Sequence, residues 1–252
     1  MLPLPDRLWT VKSSIERYTN WPRIIFQNSN LRCIRHPTVK LVLRRGTSDE
    51  YTMKEIFFRK CYTKHFEIEP ESVVVDIGAN FGAFSIYAWG MGAKSIYAYE
   101  PSPSNYDALV RNIELNAATK IVPQRVAIHP EFKKTRLFVS QRQHNDFDNI
   151  FSPLGKSTVS IEVECSSLDE IMEKYSLDKI DFLKMDAEGI EHEVVAKSKK
   201  LGSVRKISME SHDIPGHNKE EIIERLQELG FEVQAENNSD CKNAIYVYAK
   251  RL

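Results

Sequence analysis

From residue 72 onward the chain alternates short apolar, β-branched runs with longer stretches whose apolar positions recur every three or four residues. That is the pattern of strand, helix, strand units and a mostly parallel sheet. Residues 72–76 are apolar without alternation up to Asp76, as in a strand covered on both faces. A glycine-containing turn over 78–82 follows, then a helix to about Trp89, and 95–100 predicts a second strand. Ser102 and Pro103 supply an N-cap and a first-turn proline, and Tyr106, Leu109, Val110 and Ile113 share one face, so a helix runs to about Asn116. Strands are expected near 120–128, 135–140 and 158–165, with a polar, aperiodic loop over 141–156 long enough for a lid or a substrate wall. Ser167-Leu-Asp-Glu170 is a capping box that opens a short helix. Strands over 180–185 and 204–210 come next, then a helix over 219–229 capped by Asn218 and stopped by Gly230. Residues 231–235 and 244–249, joined by a turn over 237–240, read as an antiparallel finish. Ahead of the series, residues 1–70 form an N-terminal cap with a helix at about 53–63, and 71–252 form the main domain.

The 252 residues carry 35 Lys+Arg against 35 Asp+Glu, with 42% apolar and 28% charged, the balance of a soluble globular protein rather than a disordered, collagenous or coiled-coil chain. Cys33, Cys61, Cys165 and Cys241 are scattered with no C-x-x-C pair, so neither a zinc ribbon nor a disulfide framework is indicated and a reducing, cytoplasmic setting is expected. The start of the chain builds no signal-peptide core, and no run approaches the ~20 apolar residues of a membrane span. The zero net charge hides an asymmetry, because residues 1–60 hold 12 Lys+Arg and 5 Asp+Glu. There Arg7, Lys12, Arg17, Arg23, Arg32 and Arg35 interleave with Trp9, Tyr18, Trp21 and Phe26. Such a stretch is able to meet phosphates or a membrane surface, although charge runs more often solvate a face.

The most informative stretch is Asp76-Ile-Gly78-Ala-Asn80-Phe-Gly82, placed where the first strand turns into a helix. Glycines there allow close backbone approach to a ligand, and the helix start behind them offers free N–H groups. The glycines are four apart, not in the G-x-G-x-x-G spacing of dinucleotide sites, and an acid precedes them. A carboxylate beside the turn repels a pyrophosphate but suits a ligand with a cationic amino-acid end, so S-adenosylmethionine fits better than NAD. Glu100, closing the second strand, stands where α/β nucleoside sites place an acid for the ribose hydroxyls.

A second constellation is Asp186-x-Glu188-Gly189-x-Glu191-His192, with Glu210-x-His212 at the next strand end. In an open α/β sheet, ligands bind at the carboxyl ends of the strands, so Asp76, Glu100, Asp186 and Glu210 are expected on one rim. Glu188 and Glu191 equally suit the first turn of a helix. A cation cluster of Glu188, Glu191 and His192 can be drawn, but solvent-facing pairs of this kind are common and no metal is assigned. His212 is the better candidate for a general base.

Together, Asp76-x-Gly-Ala-Asn-x-Gly-x-x-Ser85, Glu100-Pro101, the Ser167 box and Phe182-Leu-Lys-Met-Asp186-x-Glu-Gly-x-Glu191 resemble the FkbM-type S-adenosylmethionine-dependent methyltransferases, over about residues 40–250. The segment from Arg44 to Asp49 looks like the family's lead-in, whereas the basic region before residue 40 lies outside the pattern. The resemblance implies an α/β fold of class I methyltransferase type, a Rossmann-like sheet of seven strands with the last antiparallel, and O-methylation of a hydroxyl on a small molecule, sugar or glycan. In such an enzyme Asp76, Gly78, Asn80, Gly82 and Glu100 would hold S-adenosylmethionine, with Val126 and Ala127 by the adenine. Asp186 or His212 would orient or deprotonate the acceptor, with Glu188 and Glu210 as supporting acceptors. Two rival readings are an RNA methyltransferase that tracks phosphates with the basic segment, and a non-catalytic cofactor-binding module. Against the first, no amino-methylation motif of the Asn/Asp-Pro-Pro-Tyr type occurs and the rim is acidic.

Overall fold

The computed structural model describes residues 31–35, 39–140, 158–212, 214, 216–238 and 243–251. The aromatic part of the basic segment, the expected loop over 141–156 and the tip of the last turn lie outside the described residues. The described elements are β1 (Leu31–Arg35), β2 (Lys40–Arg44), α1 (Asp49–Lys54), β3 (Val73–Ile77), α2 (Ala83–Gly90), β4 (Ser95–Tyr99), α3 (Pro103–Asn116), β5 (Ile121–Gln124) and β6 (Ala127–Ile128). They continue with β7 (Lys134–Ser140), β8 (Thr158–Ser166), α4 (Leu168–Lys174), β9 (Ile180–Met185), α5 (Glu191–Lys197), β10 (Val204–His212), α6 (Lys219–Glu228), β11 (Glu232–Asn237) and β12 (Ala244–Lys250).

Seven strands form one sheet in the order β11-β12-β10-β9-β3-β4-β5. The pairs β10/β9, β9/β3, β3/β4 and β4/β5 are parallel, and β12 runs antiparallel to both of its neighbours. This is the seven-stranded, mostly parallel α/β sheet expected. A separate three-stranded sheet, β6-β8-β7, stands beside it, and β1 pairs with β2 alone.

The run of unalternating apolar residues in β3 is explained by burial on both faces: Val74 joins one core, Val75 and Ile77 the other. The second core is closed by Leu168, Ile171, Val194, Val195, Ile222 and Leu226 from α4, α5 and α6. The first is closed partly by α2 and α3 and partly by Leu41, Leu43, Met53, Ile56 and Tyr62, which places residues from the N-terminal stretch directly against one face of the sheet.

Two elements differ from their sequence reading. The strand expected near 120–128 is two, β5 in the main sheet and β6 in the three-stranded one. The helix expected at 53–63 begins at Asp49, winds through a single wide turn over Glu55–Arg59, and stops at Lys60 in the left-handed region. Asp49 and Glu50 in its first turn suit the positive end of the helix, whereas the apolar spacing that signals a helix starts only at Met53. Asp49 also has a structural task. It is fully buried, and Arg44 grips it with Nε at 3.0 Å and a second guanidinium nitrogen at 2.7 Å, a two-pronged pair. The same guanidinium donates to Asn105 Oδ1 at 2.9 Å, so β2, α1 and the start of α3 are tied together. The capping box at Ser167 and Glu170 forms in both directions, and Asn218 accepts from the Glu220 amide at 2.7 Å.

Candidate active site

The turn after β3 is set by protein-on-protein contact. Gly78 lies at φ +75°, and a Cβ there would fall 1.8 Å from the carbonyl oxygen of Asp186, so the tip of the turn is pressed against the end of β9. Gly82 at φ +87° leaves room for Leu109 of α3, whose Cδ1 would sit 2.5 Å from a Cβ. Both glycines thus serve packing within the chain, where the sequence suggested room for a ligand. The amides of Gly78 and Ala79 donate to Tyr99 O, and Asn80, at φ +50°, donates its amide to Glu100 Oε2 at 2.8 Å. Glu100 Oε1 accepts from the Ser102 amide at 2.9 Å.

The four-carboxylate rim is only half realised. Asp76 and Glu100 are turned into the protein: Asp76 is fully buried, with Ser85 Oγ donating to it at 2.6 Å and Lys184 Nζ 3.4 Å away. Lys184 stands opposite Asp76 across the β3/β9 pair, donates to Gly78 O at 2.6 Å, and lies 3.7 Å from Asp186. Burial alone would push its ammonium down, but Asp76 and Asp186 hold it above the usual lysine range. Asp76 therefore acts by holding Lys184 and the turn. Val126 is half-buried against the second core, and Ala127 is buried in β6, paired with Cys165 of β8.

Asp186 and Glu210 do face a common cavity, of about 370 Å³, lined also by Gly78, Asn80, Lys184, Glu188 and His212. Its other wall comes from residues 48–62, chiefly Tyr51, Glu55 and Tyr62. The Tyr62 hydroxyl lies 2.8 Å from Asp186 Oδ2 and 3.3 Å from Glu210 Oε2, one proton shared between two acceptors. Asn238 donates to Glu210 Oε1 at 2.8 Å, and Tyr246 donates to Glu55 Oε1 at 3.0 Å. His212 Nε2 stands 3.6 Å from Glu188 Oε2 and 3.7 Å from Glu210 Oε1.

So many carboxylates in an enclosed space shift one another. Desolvation and then Asp186 raise Glu188 to about 8, and the same two causes raise Glu210 to about 7. Burial would lower His212, but Glu191, Glu188, Asp186 and Glu210 overcome it and raise it to about 9. Tyr62 is driven well above the usual phenol range by burial and by Asp186.

The grouping of Glu188 with Glu191 and His192 does not form. Glu191 turns inward, accepting the amides of Ala187 at 2.6 Å and Gly189 at 2.8 Å, and His192 Nε2 meets the carbonyl of His212 at 3.1 Å. Among the described residues, the atoms that come together are those of Asp186, Glu188 and His212, all within 4.8 Å of one another. The sequence reading missed Lys184, Tyr62, Glu55 and Asn238. Lys184 had a signal, a lysine in a strand otherwise built for burial, which needs an anion nearby. Tyr62 and Asn238 had none, since they reach the site from 124 and 28 residues away along the chain from their partners.

The turn, the buried pair and the carboxylates at the β9 end coincide with a family pattern: the Methyltransferase FkbM domain matches residues 76–233. The chain belongs to the FkbM methyltransferase family. It is a methyltransferase with a Rossmann-like class I sheet. It is 27% identical over 215 residues to Methyltransferase sdnD of Sordaria araneosa, covering 73% of this chain and 82% of that protein. The 31-O-demethyl-FK506 methyltransferase FkbM of Streptomyces tacrolimicus is 26% identical over 219 residues, covering 75% and 84%. The hexuronic acid methyltransferase AglP of Haloferax volcanii is 25% identical over 147 residues, 58% of each chain. Among the described residues, no helix of this methyltransferase is long and apolar enough to cross a membrane.

Proposed function

We propose that this FkbM methyltransferase transfers a methyl group from S-adenosylmethionine to a hydroxyl of a small molecule, sugar or glycan. The observation that carries the reading is the cavity itself, where Asp186 and Glu210 at the ends of β9 and β10 face the Gly78 to Asn80 turn. The residues fit the cofactor. Glu100, fixed beside that turn by two backbone amides, one on each oxygen, is the residue that would hold the ribose hydroxyls. The bound cofactor supplies an activated methyl on a sulfonium. Alignment and exclusion of water then account for most of the acceleration.

Asp186 orients the acceptor hydroxyl and takes up its proton, with His212 beside it. Tyr62 fixes the Asp186 carboxylate by donating to Oδ2. Glu188 and Glu210 accept hydrogen bonds from further hydroxyls, as suits a polyol. A relative named for 31-O-demethyl-FK506 and another named for hexuronic acid support an oxygen acceptor. The test is isothermal titration with S-adenosylmethionine and S-adenosylhomocysteine, with NAD as control. Micromolar binding that falls at least tenfold in Glu100→Ala supports the reading; no binding, or unchanged affinity in the variant, overturns it. His212→Ala should cut turnover without altering cofactor affinity.

A further inference from the structure

Three features of the cavity point to a place for a cation. The first is spacing. The ligating atoms of Asp186, Glu188 and His212 lie within 4.8 Å of one another. An ion with bonds of about 2.0–2.3 Å holds adjacent ligands roughly 3 Å apart and opposite ones about 4–4.6 Å apart, so the three atoms fit a single coordination shell. His212 Nε2 stops 3.6 Å from Glu188 and 3.7 Å from Glu210, too far for a hydrogen bond to either.

The second is Glu188. Partly exposed to the cavity it lines, its carboxylate has no hydrogen-bond donor among the described residues, and its one ion-pair neighbour there is His212 at 3.6 Å. Every other carboxylate on the wall has a donor: Tyr62 for Asp186, Asn238 for Glu210, and Tyr246 for Glu55. A carboxylate that the chain leaves without a donor, facing a cavity beside an imidazole, is open to a cation.

The third is the make-up of the wall. Four acids, Glu55, Asp186, Glu188 and Glu210, line it together, and the lysine among them, Lys184, is already engaged by Asp76 and the Gly78 carbonyl.

We propose that Asp186, Glu188 and His212 bind a divalent cation of the oxygen-preferring class, Mn²⁺ or Mg²⁺, which receives the acceptor hydroxyl. The ion site stands on the geometry above, and only its role toward the hydroxyl rests on the methyltransferase reading. Two carboxylates and one imidazole suit such ions better than thiophilic metals. A hydroxyl bound to the ion is more acidic, and its proton passes to the carboxylate oxygen of Asp186 that does not hold the ion, while His212 serves as a ligand.

The test uses the full chain, treated with a chelator and dialysed, then titrated with Mn²⁺ alone while free Mn²⁺ is read by electron paramagnetic resonance. One equivalent bound with micromolar affinity is expected, weakened at least tenfold in Glu188→Gln and in His212→Asn but unchanged in the surface variant Glu162→Gln. Circular dichroism selects the variants that fold, and either one suffices. Absence of binding, or equal binding in wild type and the folded variants, overturns the ion site. A parallel titration with S-adenosylhomocysteine in chelator separates the two ideas: cofactor binding without Mn²⁺ binding removes the ion and leaves the methyltransferase reading in place.

Discussion

The two sides of the turn after β3 handle buried charge in opposite ways. On the inner side, Asp76, Lys184 and Ser85 are matched to one another at 2.6–3.4 Å. On the outer side, Asp186, Glu188, Glu210 and His212 crowd a cavity with one shared tyrosine proton and spacings of 3.6 Å or more around the histidine. The inner set is finished by the chain itself and holds shape. The outer set is left incomplete by the chain, which is the condition for binding something.

The sharpest way to break this contrast is to delete a partner on the inner side. Lys184→Met leaves the fully buried Asp76 without its ammonium partner, and should cost about 3–5 kcal/mol in urea denaturation. A loss below 1 kcal/mol would mean that the inner charges are not mutually dependent. Glu100→Ala should cost about 1–3 kcal/mol, because two backbone amides lose their acceptor, while cofactor affinity drops further than stability does. Tyr62→Phe performs a similar deletion on the outer side. There solvent in the cavity can replace the lost donor, so stability should change by about 1 kcal/mol while turnover falls on the order of tenfold. A larger effect on stability than on turnover would make Tyr62 part of the inner framework.

The mildest effect is expected at the far end of the sheet, where Asp181 accepts the Val73 amide at 3.0 Å. Burial raises its carboxyl, but the Val73 amide and the Lys179 and Arg205 charges outweigh it and hold it below the usual aspartate range. The stabilisation is present above the unfolded-state value of about 3.9 and is lost as pH falls through the lower folded value. Asp181→Asn should therefore cost about 1 kcal/mol at pH 7 and progressively less in acid, read as Tm against pH. A constant difference down to pH 2 would show that the charge plays no part.

What the sequence disclosed follows the same division. α3 and β9 match their expected bounds, because a proline at a helix start and an apolar run need only their neighbours to be recognised. The family motif was also local, seven residues from Asp76 to Gly82 and six from Asp186 to Glu191. The direction in which its side chains point was not, and Asp76 is turned inward, to Lys184 and Ser85. Tyr62 illustrates the remainder: a lone tyrosine acquires meaning only when the chain folds it against Asp186.

The wall formed by residues 48–62, together with Asn238, lies outside the stretch of 76–233 that defines the family. A change at Tyr51 or Glu55 therefore redraws the mouth of the cavity opposite Asp186 and leaves the Gly78 to Asn80 turn as it is, a door that can be recut without moving the frame.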